Sequence, residues 1–213
     1  MICFAFLKKN IIIFADYYCL TNKLKLFMKK FLLFAALIVF AVGVSAQKFK
    51  PVPDFLKGQT EINVVFDYSK VIYDKDSQQK YYKGKKKTWI EEWEGKRREA
   101  NAEGFIKDFN KELEKLNVVI GDFPEAQYTI IVDVLNCDFG AYAGPMSVPA
   151  KLQGSVRIVK TGTNATLAET ASIKVVQNRY TTIATPVDFD RMYLAFNELG
   201  EKFGSAIAKI LKK

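Results

Sequence analysis

Tyr128–Cys137 reads YTIIVDVLNC, and its alternation decides the fold. Tyr128, Ile130, Val132 and Val134 fall on one face and Thr129 and Asp133 on the other, the period of a strand with one covered side. Two later stretches repeat the pattern. Leu152–Lys160 (LQGSVRIVK) places Leu152, Gly154, Val156 and Ile158 together, opposite Ser155 and Arg157. Leu167–Val176 (LAETASIKVV) places Leu167, Ala171, Ile173 and Val175 inward, interrupted by Glu169, opposite Thr170, Ser172 and Lys174. One apolar side and one largely polar side predict an antiparallel sheet covered on a single face. Lys160-Thr161-Gly162-Thr163-Asn164 supplies a tight turn between the last two strands. Asp133, Arg157 and Lys174 share the polar face, where cross-strand ion pairing is the expected role.

The rest of the chain is read outward from these strands. Thr60–Tyr68 (TEINVVFDY) alternates as a strand, with Ile62, Val64 and Phe66 opposite Val65 and Asp67, and Val71–Tyr73 extends it. Asp74–Lys87 is polar and charged and predicts an exposed hairpin or loop turning at Gly84. Thr88–Trp93 (TWIEEW) either finishes an edge strand or begins a helix. Lys96–Asn117 is a helix: Ala102, Phe105, Ile106, Phe109, Leu113 and Leu116 recur at steps of three and four. Gly104 costs that helix about 1 kcal/mol against Ala. Asp188–Lys212 is the closing helix, capped by Asp188 or Thr185 beside Pro186. Its buried stripe is Phe189, Met192, Tyr193, Phe196, Leu199, Phe203, Ile207, Ile210 and Leu211. Gly200, Gly204 and Ala208 form a smooth ridge, read as close packing onto the sheet, since Glu201, Lys202 and Lys209 exclude a membrane span. The order β-α-β-β-β-α over 60–213 predicts a single α+β domain, a two-layer sandwich of about four antiparallel strands with both helices on one face.

Met28–Gln47 (MKKFLLFAALIVFAVGVSAQ) has the three-part layout of a secretory signal peptide: a Lys29-Lys30 head, an uncharged run and small residues before a cut after Ala46. The uncharged run Phe31–Val44 is short of the roughly 20 residues of a bilayer span. Gln47 stands where a lipoprotein needs Cys. The expectation is an exported chain, periplasmic or secreted, that is not an integral membrane protein once processed. Residues 1–27 precede a complete signal and are expected to be an over-extended N-terminus, with translation starting at Met28. Residues 47–59 are expected to be a lead-in arm.

Lys and Arg number 32 against 23 Asp and Glu, a net charge of +9. After removal of 1–46, which holds six Lys and Asp16, the balance is 26 against 22, or +4. That is ordinary for solubility and gives no reason to expect a nucleic-acid partner. Cys137 is the single cysteine left, so no internal disulfide supports the fold. The absence of His removes Ser-His and Cys-His nucleophile pairs and His-ligated zinc. No cofactor, metal or catalytic residue is expected.

Tyr81, Tyr82, Lys83, Lys85, Lys86, Lys87 and Trp89 mix cations with aromatic rings, a composition that stacks on sugars or attracts anions. Envelope glycans, lipid head groups or an acidic protein are the candidate partners; the alternative is a solvated loop that guards an edge strand. Glu91, Glu92 and Glu94 lie beside Trp89 and Trp93, but adjacent glutamates on one turn do not give a glycosidase its two facing carboxyls, and Lys96, Arg97 and Arg98 offer ion pairs instead. Cys137 follows the default of a small packed thiol. The loop Asp138–Ala150 presents Phe139, Tyr142 and Met146 as partner contacts or as a tip folded over the sheet end.

Ending in Ala-Gln, the signal looks like those of exported proteins from the Bacteroides group of bacteria. The element order over Thr60–Lys213 resembles the small periplasmic domains typified by the TolB N-terminal domain and the lipoprotein activators of penicillin-binding proteins, without the lipobox Cys. That resemblance implies a non-catalytic envelope module that binds another protein. Three functions follow for testing: a binding or assembly module whose partner is an envelope protein or anionic envelope glycan, a carrier of a small apolar ligand, and a carboxylate enzyme acting on envelope glycan. A cleft with two facing carboxylates favours the enzyme, an empty apolar cavity the carrier, and a flat polar sheet with an exposed apolar loop the module.

Overall fold

The computed structural model describes residues 48–143, 146–163, 165–177 and 188–213. The signal-peptide reading of 28–46, the reading of 1–27 and the capping roles of Thr185 and Pro186 lie outside them. The elements are β1 (Phe49–Lys50), β2 (Glu61–Asp67), β3 (Ile72–Tyr73), β4 (Asp76–Ser77), α1 (Gln78–Lys83), α2 (Lys87–Glu92), α3 (Arg98–Leu113), β5 (Val119–Gly121), β6 (Tyr128–Asp138), β7 (Ala141–Ala143), β8 (Met146–Val148), β9 (Lys151–Lys160), β10 (Thr166–Thr170), β11 (Ile173–Val176) and α4 (Asp188–Leu211).

Among the described residues the sheet is mixed and has nine strands, which corrects the expected antiparallel sheet of four. Its path is β1-β10-β9-β6-β2-β5, with β11 beside β9 and β3 between β4 and β6. Both neighbours of β2, β5 and β6, run parallel to it, whereas β6, β9 and β10 pair antiparallel. The reason is the helical crossover: a strand that leaves through helices and returns beside its start comes back parallel. Face alternation, read earlier as the mark of an antiparallel sheet, carries no strand direction. The extra strands are two to four residues long, too short for a period to show. A separate hairpin pairs β7 with β8.

Two phase shifts in the sheet also differ from expectation. A bulge between Val134 and Asn136 lets Cys137 join Ile130, Val132 and Val134 in the core and turns Asn136 to the other face. A break at 171–172 separates β10 from β11, so Ala168 and Thr170 are buried while Ala171 is exposed, the reverse of the predicted phase. Thr170 fits inside because its Oγ1 accepts from the Val156 amide at 3.0 Å, in place of a ladder bond.

Helices α3 and α4 lie on one face of the sheet, where the Phe66 ring meets Phe105 at 5.2 Å and Phe196 at 6.2 Å. Asn117, left-handed at φ 52°, ends the helical run beyond α3. Asn110 on α3 donates to the Ile120 carbonyl and accepts from the Ile120 amide, occupying the outer edge of β5. The glycine ridge of α4 packs against α3, not the sheet: a Cβ on Gly200 would lie 2.3 Å from the Phe105 carbonyl oxygen, and one on Gly204 2.7 Å from that of Phe109. Residues 47–59, expected as an arm, contribute edge strand β1 and bury Phe49 and Leu56.

Candidate functional site

Of the polar segment expected as a loop or hairpin, residues 74–77 turn back as a hairpin on β3, whereas Gln78–Lys83 is helical. Ser77 opens α1, its Oγ accepting from the Lys80 amide at 3.4 Å, and Gly84 ends it. Helix α2 follows and passes through a π-type turn, Trp93–Arg97, in which Gly95 leaves helical geometry at φ −93°, ψ −110°. Thr88–Trp93 is therefore helical and no edge strand. The lysines of this cap dominate local composition and mask the spacing of its rings, which is why it reads as exposed loop.

Those rings turn inward. Tyr81 stacks on Tyr73 at 5.1 Å, and Trp89 meets Trp93 at 6.2 Å and Phe189 at 5.1 Å. Phe139, expected at an exposed loop, is buried among them, 4.8 Å from the Trp93 ring. The polar ends converge on the buried Tyr73 hydroxyl, which receives Trp93 Nε1 at 3.0 Å and Arg98 Nη2 at 3.1 Å and lies 3.3 Å from the Tyr82 hydroxyl. Burial pushes the Tyr81 phenol up to about 12. Tyr81, Tyr82 and Trp89 are half-buried, and their contacts with Tyr73, Trp93, Phe139 and Phe189 make them a pedestal for the cap.

The lysines point the other way. Lys83, Lys86 and Lys87 are exposed, while Lys85 lies 4.7 Å over the Tyr81 ring and 4.8 Å over that of Trp89. Lys80 pairs with Asp76 at 2.5 Å and Lys87 with Glu91 at 3.5 Å; Lys83 and Lys86 have no ion pair among the described residues. Residues 75–98 hold nine cations and four acids, against 17 and 18 in the remainder of 47–213. The whole positive balance of that portion therefore sits on the cap. Glu92 pairs with Arg97 and Glu94 with Arg98, the structural use expected of these glutamates.

Across the uncovered sheet face, Asp67 and Asp133 occupy paired positions on β2 and β6. Arg157 joins them, its Nε reaching both Asp133 oxygens at 3.0 and 3.1 Å and its Nη2 reaching Asp67 at 3.1 Å. Lys174, predicted as a neighbour, sits opposite Gln153 and takes no part. Hydrogen bonds from Ser69 and then the charge of Arg157 hold the Asp67 carboxyl below the usual range. Its contribution to stability is present above the unfolded value, near pH 3.8, and is lost as pH falls through the lower folded value. The stability gap between the wild type and Asp67→Asn is expected to be largest above pH 5 and to close as pH drops below about 4. Urea unfolding across that range measures it, and a constant gap would remove the ionised carboxylate as its source.

Arg191, missed in the sequence, is a buried cation beside the apolar stripe of α4; it donates Nε to the Phe139 carbonyl at 3.0 Å and Nη2 to Asp188. An arginine next to Met192, on the side of the helix that carries the apolar stripe, was the available signal. Cys137 is free and buried, and burial pushes its thiol well above the usual range. The side chains of Tyr142 and Met146 lie outside the described residues. Among the described residues, no helix is long and apolar enough to cross a membrane, and no group of three or more acidic or Cys side chains is gathered for a metal.

No protein-family model matches the sequence, and no curated protein does. Among solved structures, the chain is similar to the PelC dodecamer from Paraburkholderia phytofirmans, at 5% identity over 75% of this chain and 96% of that one, with a TM-score of 0.36. It is also similar to a Xanthomonas campestris protein of the DUF330 family, at 12% identity over 49% and 57% of the two chains, with a TM-score of 0.28. Likenesses that loose establish neither a shared fold nor a shared role.

Proposed function

We propose that this chain is a non-catalytic, exported protein of the cell envelope that binds an anionic partner through the lysines of the α1–α2 turn. The observation that carries this reading is the division within the cap: rings anchored inward, ammonium groups outward, and the net positive charge concentrated there. The signal-like Met28–Gln47 supports the envelope as its place of work. Carboxylate catalysis has little support, because Asp67 and Asp133 share Arg157 and Asp67 stays ionised well below neutral pH. A carrier needs room between sheet and helices, whereas Leu199 reaches within 3.0 Å of a Cβ placed on Gly154 and the two helix backbones meet along the glycine ridge.

The test replaces Lys83, Lys85, Lys86 and Lys87 together by Ser in the whole chain expressed in its own cells. Lys80 stays, since it serves Asp76. Retention of the wild type on washed envelope fractions is expected to fall as salt rises, because exposed charges are screened. Retention of the quadruple variant is expected to be lower by about tenfold or more at low salt. Equal retention of the two would end the reading.

A further inference from the structure

The uncovered sheet face carries a second polar feature, separate from the cap lysines. Asn136, Gln153 and Lys174 stand in register across β6, β9 and β11. One step along the strands, Asp138 faces Lys151 and the two are joined at 3.2 Å. The turn between β3 and β4, Asp74-Lys75, closes the row: Asn136 Nδ2 donates to the Asp74 carbonyl at 3.0 Å, and the Asp74 amide donates to the Cys137 carbonyl at 3.1 Å. These side chains line an open cleft of about 220 Å³. The bulge after Val134 is what brings Asn136 to this face, and bulges of that kind re-aim side chains beside binding sites.

The chemistry of the lining is mixed in a particular way. Lys75 and Lys174 are exposed ammonium groups with no ion pair among the described residues. Beside them are two amides, Asn136 and Gln153, and two carboxylates, Asp74 and Asp138. Gln153 commits its Nε2 to the Ser172 hydroxyl at 3.0 Å, which leaves its carbonyl oxygen to accept. Amide and carboxylate oxygens accept from neutral hydroxyls, and a free ammonium beside them takes an anion. A polyphosphate would meet the two aspartates as like charges. An extended acidic peptide pairs with a strand edge through its backbone, whereas this cleft opens on a sheet face. The volume is smaller than that of a drug-sized site and suits a single sugar ring.

We infer that the cleft binds an acidic sugar, one uronate unit of an anionic polysaccharide, with its carboxylate at Lys75 or Lys174 and its hydroxyls on Gln153 and Asp138, while Asn136, its Nδ2 given to Asp74 and its Oδ1 buried, holds the floor of the cleft. The inference rests on the anionic-partner reading of the cap only in that both grip one polymer, and it names the class of that polymer.

The experiment titrates isotope-labelled protein, recovered from cells expressing the whole chain, with trigalacturonate, neutral trigalactose and triglutamate, and follows amide shifts. Trigalacturonate is expected to move the signals of 74–75, 136–138, 151–153 and 174, and to bind at least about tenfold more tightly than either control. Lys75→Ala with Lys174→Ala should abolish that preference over trigalactose. Gln153→Ala, a surface change, should weaken trigalacturonate and leave triglutamate unchanged. The quadruple cap variant should bind the trimer as the wild type does. Equal binding of triglutamate, or wild-type binding by the cleft variants, overturns the cleft and leaves the cap reading intact. Loss of trimer binding in the cap variant alone overturns the cleft assignment and relocates the sugar to the cap.

Discussion

Trp93→Ala is expected to lower stability by about 3–5 kcal/mol, the cost of emptying a large aromatic site in a core. Trp93 is fully buried, meets Phe139 edge-on at 4.8 Å and lies parallel to Phe189 at 6.0 Å. It is also a donor: its Nε1 holds the Tyr73 hydroxyl at 3.0 Å, the point where Arg98 also arrives. Truncation therefore opens a cavity and removes one of the hydrogen bonds that fix the pedestal. Trp93→Phe separates the two effects, since it restores most of the volume and none of the N–H; its cost is expected to be about 1–2 kcal/mol. Set against the total of about 5–15 kcal/mol for an ordinary domain, the Ala variant is severe. Urea midpoints with unchanged slope measure both. A loss under 1 kcal/mol for Trp93→Ala would mean that the cap does not depend on this ring.

Gly200→Ala is expected to destabilise by about 1–3 kcal/mol, against the usual sign of the substitution. In an open helix, Ala is favoured over Gly by about 1 kcal/mol. Here the new methyl would sit 2.3 Å from the Phe105 carbonyl oxygen, a backbone atom that cannot swing aside. Gly204→Ala should follow, at 2.7 Å from the Phe109 oxygen, and to a smaller degree. Gly84→Ala is the control: its nearest neighbour is the Tyr81 carbonyl oxygen at 3.7 Å, and its effect should stay within about 0.5 kcal/mol. Thermal unfolding of the three variants distinguishes the outcomes. A stabilised Gly200→Ala would show that α3 and α4 are not in backbone contact there.

The cap shows how a local composition misleads. Five lysines within Lys80–Lys87 make the stretch read as solvated loop, yet Tyr81, Tyr82 and Trp89 decide its conformation because burying a ring outweighs keeping a lysine stem in water. Nothing in the stretch itself says that Tyr73, Trp93, Phe139 and Phe189 wait to receive those rings, since they come from four separate places in the chain. The bond from Arg98 to Tyr73 and the outward turn of Asn136 were missed for the same reason: each arises from partners far away in sequence.

The positions of β2, β6 and β9, their apolar faces, and the two long helices with their Phe-rich stripes were decided by residue order alone, because period two and period 3.6 are local properties. The smooth ridge at Gly200 and Gly204 was equally plain. What met that ridge was not: a glycine says that something approaches closely, and only the tertiary structure names it as the backbone of α3. Strand direction, the nine-strand count, the bulge that turns Asn136 outward and the reversed phase of β10 likewise arose from pairing between distant segments. Hydrogen bonding along a backbone is the same for every residue type, so side-chain alternation can declare which face is covered but not which neighbour a strand will choose.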